Sequence, residues 1–299
     1  MMRIGWLALT LMGCHVAVAQ EQQDMGRGLA ADTGVHLLSR QFSFTEGASA
    51  DRAGNVFFTD QPNNRIWEYG VNGRLTLFMD SAGRSNGMYF ARNGWLVTCA
   101  DEHDQLWTIS PRRKVRILLR DIDGRRMNGP NDLWIDPHGG IYFTDPYYQR
   151  PYWTRTKPDL PGERVYYLPA GAKEPNVVDP AVVKPNGIVG TPDGHQLYVA
   201  DIGAGKTYVY TIGAGGELLN KRLFVPQGSD GMTLDDRGDV YLTGDGVTVY
   251  DPSGRRIAHI RVPEEWTANL CFGGKDKKTL FITASRGLYR IRMNVRGVE

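Results

Sequence analysis

The sequence predicts an all-β protein, a six-bladed β-propeller whose ring is closed by an N-terminal strand. Three observations predict it: a composition rich in turn residues, a repeat that recurs six times, and a spare strand-like segment ahead of the first repeat. The 299 residues include 36 Gly and 16 Pro, and no long segment has apolar residues at helical spacing. This pattern is typical of short strands joined by tight turns.

The repeat is marked by a polar residue that glycine follows in most copies. Successive markers are separated by 40, 45, 55, 44 and 39 residues, which are typical lengths of a propeller blade. Eight residues after each of the first five markers stands a glycine in a turn, whereas the sixth copy has Lys277. An open array or a sandwich with accidental periodicity is the alternative interpretation. The markers are Glu46, Asn86, Asn131, Asn186, Asp230 and Asn269.

Strand-like segments follow each marker in the same order. An apolar second strand ends in a small residue, and a third strand follows it, as in Val56 to Thr59 and Arg65 to Tyr69. The last unit has only three strands before Glu299, while Val35 to Phe44 forms an extra strand ahead of the first unit. If this strand joins the last blade, no sheet edge stays open. We therefore predict one propeller domain over residues 35–299.

The N-terminus has the pattern of an export signal. Residues 1–19 combine a basic start, an apolar run too short to span a bilayer, and the small-residue site Ala17-Val18-Ala19. The sequence therefore predicts a signal peptide, a polar linker over residues 20–34 and a periplasmic or secreted protein. The alternative is a lipoprotein with a lipid anchor at Cys14, because Leu11-Met12-Gly13-Cys14 resembles a lipoprotein box. No membrane span is predicted.

Several function classes lack their motifs. The net charge is +2, from 35 basic and 33 acidic residues without a basic stripe, so no nucleic-acid partner is expected. No serine-hydrolase elbow, zinc-protease helix or phosphate-binding glycine loop is present. Cys99 and Cys271 fall on strands of separate blades, where they are expected to be buried.

The six marker residues are expected to meet inside the ring. The first strand of each blade lies innermost in a propeller, so residues at its start face the same end of the channel. One Glu, one Asp and four Asn offer oxygen acceptors, which suit one hard divalent cation. Calcium is favoured over magnesium, manganese or zinc. Since Asn-Gly and Asp-Gly also occur in ordinary turns, a turn role is the alternative.

The chain resembles the family of gluconolactonases and regucalcin. The resemblance spans nearly the whole predicted propeller and rests on a combination of short motifs. These are Thr45-Glu46-Gly47, Asn128-Gly129-Pro130-Asn131-Asp132-Leu133, Phe143-Thr144-Asp145-Pro146, Lys184-Pro185-Asn186-Gly187-Ile188, Leu197-Tyr198-Val199-Ala200-Asp201 and Ser229-Asp230-Gly231-Met232.

The resemblance implies that Glu46, Asn186 and Asp230 ligate the metal and that Asn131 lies beside it as a substrate-binding residue. Asn86 is expected to line the pocket, and Asn269, which lacks the glycine, to be structural. The implied activity is metal-dependent opening of a small-molecule lactone. As a hypothesis, the metal acts as a Lewis acid and Asp230 acts as both ligand and catalytic base, with Glu46 as the alternative base.

Two other functions stay open at this point. One is metal-dependent hydrolysis of aryl esters or organophosphates, and the other is a non-catalytic, calcium-stabilised binding propeller. The chain also departs from the family pattern. Animal regucalcins have Arg where Gly129 stands, and the long third interval contains the aromatic and basic segment 146–163. This segment is either a lid over the channel or a surface loop that packs its own aromatic side chains.

Overall fold

The structure, a computed structural model, describes residues 26–298. The predicted signal peptide with Cys14, and residues 20–25 of the predicted linker, lie outside this range. Six antiparallel sheets of four strands form the ring, which confirms the predicted propeller. In the described chain, the second and third strands of the first blade agree with the predicted bounds to within one residue.

The elements follow one another blade by blade. A short helix, α1 (Gly26–Leu29), and a first strand, β1 (His36–Ser39), precede the repeats, and blades 1 to 3 follow. Blade 1 contains β2 (Thr45–Ala50), β3 (Val56–Asp60), β4 (Arg65–Tyr69) and β5 (Leu75–Asp80). Blade 2 contains β6 (Ser85–Phe90), β7 (Leu96–Ala100), β8 (Gln105–Ile109) and β9 (Val115–Leu119). Blade 3 contains β10 (Leu133–Ile135), β11 (Ile141–Asp145), β12 (Arg164–Leu168) and β13 (Asn176–Asp179).

The second half of the ring repeats the same order. Blade 4 contains β14 (Pro185–Gly190), β15 (Gln196–Asp201), β16 (Lys206–Ile212) and β17 (Leu218–Val225). Blade 5 contains β18 (Met232–Leu234), β19 (Val240–Gly244), β20 (Gly246–Tyr250) and β21 (Arg256–Ile260). Blade 6 contains β22 (Thr267–Gly273), β23 (Thr279–Ala284) and β24 (Gly287–Arg292). Two 3₁₀ turns, Gln61–Asn63 and Asp101–His103, join second to third strands in blades 1 and 2.

The N-terminal strand closes the ring, as predicted. β1 pairs antiparallel with β24, so blade 6 has the order β1-β24-β23-β22. The innermost strands β2 and β22 also contact each other, which joins the first blade to the last. Part of the predicted linker packs on this blade as well: Leu29 is buried, and the Ala31 amide donates to the Arg292 carbonyl at 2.8 Å.

The hydrophobic core lies between neighbouring blades. Trp134 and Tyr142 of blade 3 belong to one buried cluster with Leu197 of blade 4 and Leu234 of blade 5. Burying a side chain of this size contributes about 1.5–3 kcal/mol, so these inter-blade layers hold the ring together. Cys99 and Cys271 are buried in blades 2 and 6, as expected. Within residues 26–298 no helix is long and apolar enough to cross a membrane.

Candidate active site

All six marker residues are buried at one end of the innermost strands, which we call the channel mouth. Their exposed fractions range from 4% for Glu46, Asn86 and Asn186 to 8% for Asp230. In blades 1, 2 and 4 the pairing shifts register just after the marker, between Glu46 and Ser49 in blade 1 for example. Such bulges redirect side chains. The markers therefore lie in bulged or incoming strand segments rather than in hairpin turns.

The glycines after the markers allow the innermost strands to approach closely. The Gly87 amide donates to the Asn131 carbonyl of the next blade at 2.7 Å. A Cβ at Gly87 would lie 2.3 Å from Asp132 Oδ1, and one at Gly187 would lie 2.2 Å from the Asp230 carbonyl oxygen. Since real Cβ contacts do not reach such distances, the Asn-Gly pattern reflects packing around the channel. The turn interpretation does not account for these contacts.

Glu46 and Asp230 form a buried carboxylate pair at the mouth. Burial raises the pKa of Glu46 well above its ordinary value, and the negative charge of Asp230 raises it further. Burial also raises the pKa of Asp230, against hydrogen bonds from Trp266 and Asn186 that lower it. Two carboxylates held together in a dry site need a proton or a cation to be tolerated. The site is therefore a place where positive charge binds favourably.

Asp230 is held by two neighbours. Trp266 Nε1 donates to Asp230 Oδ2 at 2.6 Å, and the Asn186 side chain also hydrogen-bonds to Asp230. Asn186 Nδ2 in turn donates to the Tyr148 hydroxyl at 3.2 Å. The structure thus brings together Glu46, Asn186 and Asp230, the three predicted ligands. It adds Trp266 and Tyr148, which the repeat did not indicate because both lie on loops between strands.

The two predicted substrate-binding residues occupy the neighbouring blades. Asn131 and Asn86 are each about as buried as the ligands, at 5% and 4% exposed. Asp132, which follows Asn131, was not singled out by sequence reasoning. It is buried, and its charge is a further cause of the raised pKa of Glu46. Asn269 Oδ1 accepts the Leu270 amide at 2.7 Å, a local contact consistent with a structural role.

The approach to three of the markers is fixed by a repeated aspartate cap. Asp60 Oδ1 accepts the amides of residues 43 and 44, while the Asp145 carboxylate accepts those of residues 128 and 129. The Asp201 carboxylate accepts the amides of residues 183 and 184. In every case these amides lie three and two residues before the marker. The cap holds the backbone just before each marker and thereby fixes the positions of Glu46, Asn131 and Asn186.

Segment 146–163, which joins β11 to β12, contacts blade 2 through Asp101 and blade 4 through Asn186. Arg150 Nε donates to Asp101 Oδ2 at 2.9 Å, and Trp153 Nε1 donates to the Asp101 carbonyl at 2.9 Å. Arg155 is buried, and its guanidinium pairs with Asp104 and lies 4.0 Å from the centre of the Trp153 ring. The loop therefore packs its own aromatic rings and is held to blade 2, and its role as a lid stays a prediction.

The opposite end of the channel is open. A cavity of about 580 Å³ lies among the turns that follow the innermost strands. Its basic lining residues are Arg52, Arg92, Lys275, Lys277 and Arg296. We place the candidate chemistry at the mouth because the buried carboxylate pair lies there.

Among residues 26–298 no group of three or more His, Cys, Asp or Glu side chains is arranged around one point. The predicted ligand set does not require such a group, since it consists of two carboxylates and the Asn186 amide. Carboxylate and amide oxygens are the ligands that calcium and similar hard cations take in proteins. The donor chemistry at the mouth therefore fits a hard divalent cation.

The fold and the buried acidic mouth define a β-propeller with a polar central site. A family described as SMP-30/Gluconolactonase/LRE-like region matches residues 44–286, and the chain belongs to this family. The gluconolactonase of Zymomonas mobilis is 25% identical over 90% of this chain and 84% of its own length.

Two further relatives show the range of the comparison. A Xanthomonas campestris structure, described as a gluconolactonase important in glucose secondary metabolic pathways, has a TM-score of 0.82 at 26% identity and covers 89% of this chain and 91% of its own. The diisopropyl-fluorophosphatase of Loligo vulgaris is 30% identical over 56% of this chain and 57% of its own length.

Proposed function

We propose that this protein is a metal-dependent hydrolase that opens lactones. The observation that carries the proposal is the buried Glu46–Asp230 pair at the channel mouth of a chain belonging to a family that includes gluconolactonases. The similarity to the Zymomonas mobilis and Xanthomonas campestris gluconolactonases supports the lactone as substrate class.

The proposed metal ligands are Glu46, Asn186 and Asp230. Calcium is the favoured ion because all the donors are oxygens, and magnesium, manganese and zinc are the ions to compare with it. When bound, such a cation polarises a carbonyl oxygen as a Lewis acid. Burial raises the pKa of Glu46 and of Asp230 because it disfavours their negative charge. A bound cation would stabilise that charge.

Asp230 is the proposed general base. Ring opening joins a water oxygen to the carbonyl carbon, breaks the ring C–O bond and leaves a hydroxy acid. One water proton must therefore be taken up and then passed to the departing ring oxygen. Trp266 donates to Oδ2 of Asp230 and orients the carboxylate, which can accept at more than one lone pair. A raised carboxyl pKa brings a base closer to the working pH. Asn131 and Asn86 are the proposed donors of amide N–H groups to substrate oxygens.

Hydrolysis of organophosphates or aryl esters is the second candidate function. The 30% identity to the diisopropyl-fluorophosphatase favours it, since this match covers more than half of both chains. A carbonyl and a phosphoryl oxygen would make the same demand on the site, namely a cation and a base. The substrates of the two candidate functions differ in shape, and the shape of the mouth would decide between them.

One substrate panel tests both candidates. Purified protein would be offered gluconolactone, a homoserine lactone, an aryl ester and a fluorophosphate, with calcium or with chelator. We expect calcium-dependent turnover of a lactone at the highest kcat/KM. Turnover confined to esters or fluorophosphates would replace the lactonase proposal. A protein that turns over none of them, yet gains thermal stability from calcium, would point to the binding propeller.

We also propose that the chain is exported, from the pattern of residues 1–19. Mass spectrometry of the N-terminus of the protein isolated from its native cells tests this. An N-terminus at Gln20 is expected after signal-peptide cleavage, whereas a lipid-modified Cys14 would establish the lipoprotein alternative. An intact Met1 would contradict both.

A further inference from the structure

Arg150 is a loop residue whose charge lies at the channel mouth. It belongs to segment 146–163, and its side chain is 22% exposed, between the loop and the site. Its positive charge also lowers the pKa of both Glu46 and Asp230. Its guanidinium also lies 5.5 Å from the centre of the Tyr148 ring, and the Tyr148 hydroxyl contacts Asn186.

Asp101 is arranged to hold Arg150. Its side chain is 2% exposed and accepts Arg150 Nε at 2.9 Å, Gln61 Nε2 at 3.3 Å and the Tyr152 hydroxyl. A buried carboxylate with three donors is a fixed anchor, because each charge-assisted bond restricts its orientation. The anchor sets the position of the guanidinium relative to the mouth.

Blade 2 can provide this anchor because it lacks the aspartate cap of its neighbours. Asp60 pairs with the residue before the marker of blade 1, and Asp201 does so in blade 4. At the same register of blade 2, Ala100 pairs with Ser85. Asp101 follows one residue later and turns to the loop of blade 3 instead of capping its own blade.

The segment that enters blade 3 leaves no room for a basic side chain at position 129. A Cβ at Gly129, two residues before Asn131, would lie 2.7 Å from Trp153 Cη2 and 2.9 Å from Asp101 Oδ1. Gly129 also has φ +134°, a conformation that residues with a side chain rarely adopt. The loop and its anchor therefore fill this place, and Arg150 supplies the positive charge there.

The chemistry of a guanidinium indicates what it would bind. It has five N–H donors in a planar fork, and Asp101 engages the one on Nε. The donors on Nη1 and Nη2 suit two oxygen acceptors held side by side, such as neighbouring hydroxyls or a carboxylate. A lactone that carries several hydroxyls presents such pairs, whereas a plain aliphatic lactone does not.

We propose that Arg150 is a substrate-binding residue that selects polyoxygenated lactones, and that Asp101 is its positioning residue. The inference rests on the proposed lactone hydrolysis and adds to it the class of lactone and the residue that recognises it.

Steady-state kinetics of Arg150→Gln test the inference on two substrates, gluconolactone and δ-valerolactone. Losing the fork should raise KM for gluconolactone by about tenfold or more, which corresponds to roughly 1.4 kcal/mol. KM for δ-valerolactone should change by less than about threefold, because this substrate lacks the paired oxygens. Arg150→Lys should give an intermediate KM for gluconolactone, since it retains the charge without the fork. Equal losses on both substrates would overturn the inference and leave Arg150 as a loop anchor.

Arg155→Gln is the matched control. Arg155 lies in the same loop, but its guanidinium pairs with Asp104 and donates to the Met127 and Asn128 carbonyls. Loosening the loop in this way should reduce kcat/KM for both lactones by the same factor. A selective loss on gluconolactone in this variant would contradict the assignment to Arg150.

Calorimetric binding of gluconate, in the presence of calcium, separates this inference from the proposed function. Gluconate carries the hydroxyls and a carboxylate and requires no turnover. We expect Arg150→Gln to bind it about tenfold or more weakly than the unaltered protein. Equal affinities, or no binding by the unaltered protein, would overturn the inference even if lactones are hydrolysed. Failure of the unaltered protein to hydrolyse any lactone would instead refute the proposed function alone.

Discussion

The two ends of the channel are formed by the same innermost strands and differ in charge and in closure. At the mouth, Glu46 and Asp230 are buried, and Asp101 holds the loop of blade 3 nearby. At the other end a cavity of about 580 Å³ is lined by basic residues from exposed turns. The volume of this cavity therefore does not by itself mark the proposed site. Buried carboxylates do, because keeping them buried costs free energy.

Among the substitutions that test the difference between the two ends, Asp230→Asn is expected to reduce activity most. The substitution removes the proposed base and one metal ligand while keeping the shape of the side chain. We expect kcat/KM on the best lactone to fall by about a hundredfold or more, the size seen when one group acting in a transition state is removed. Glu46→Gln should lose activity to a similar extent, because it removes a proposed metal ligand.

Glu68→Gln is the matched control for Glu46→Gln. Glu68 lies in blade 1 on β4, away from the mouth, and its pKa is also raised by burial. Activity within about twofold of the unaltered protein is expected, as for most substitutions outside a site. If Asp230→Asn and Glu46→Gln stay folded and active, the carboxylate pair is not catalytic. Retained binding of a protein partner by such variants would favour the binding propeller.

The second prediction concerns calcium and pH. In chelator the raised pKa of Asp230, about 6, means that the pair favours the folded state while protonated. This contribution is present below the ordinary carboxyl pKa of about 4 and is lost as the pH rises through about 6. Calcium should therefore stabilise the folded protein more at pH 8 than at pH 5. At a hundred times its Kd the stabilisation should reach about 2.7 kcal/mol, and the rise in Tm should be larger at pH 8.

Thermal unfolding with calcium or chelator at both pH values measures this difference. The double variant Glu46→Gln/Asp230→Asn serves as the control, since it keeps every other titrating group. Its Tm should lose the response to calcium at both pH values. A calcium response of equal size in the double variant would place the ion elsewhere on the molecule.

The third prediction concerns Trp266, which holds one oxygen of Asp230. Trp266→Phe keeps a ring and removes the Nε1 donor. A hydrogen bond to a charged group contributes about 1.5–3 kcal/mol, so we expect kcat to fall by roughly tenfold. Because this bond lowers the pKa of Asp230, its loss should also move the acid limb of the pH–rate profile to higher pH.

Trp107→Phe is the control for Trp266→Phe. Trp107 Nε1 donates to Gln105 Oε1 at 2.8 Å within blade 2, so the same donor is lost without contact to Asp230. The pH–rate profile should stay in place. An unmoved profile in Trp266→Phe itself would exclude Asp230 as the group that titrates in catalysis.

The sequence predicted the ring and the residues that meet at the mouth because these follow the repeat. Glu46, Asn186 and Asp230 occupy one register, and the geometry of a propeller brings one register together. Asp132 was overlooked although it stands next to a marker, since only one position per blade was followed.

Trp266 and Arg150 were beyond the reach of the repeat for a physical reason. Both lie on connections whose lengths differ from blade to blade. Their partners, Asp230 and Asp101, are 36 and 49 residues away in the chain. Such contacts depend on how each loop folds over the ring, and no period in the sequence encodes that. The aromatic and basic composition of segment 146–163 indicated a lid or a packed surface loop, but it did not identify Asp101 as the residue that anchors the loop.

The smallest effect is expected at the open end of the channel. Arg52 and Arg92 line its cavity from exposed turns, and neither touches the mouth. Because charges more than a Debye length apart, about 8 Å at physiological salt, are largely screened, the double variant Arg52→Gln/Arg92→Gln should keep kcat/KM within about twofold. Measured at low and at physiological salt, a loss as large as that of Trp266→Phe would show that the open end takes part in substrate entry. Substrate would then reach the mouth through the open end of the channel, and both ends would contribute to activity.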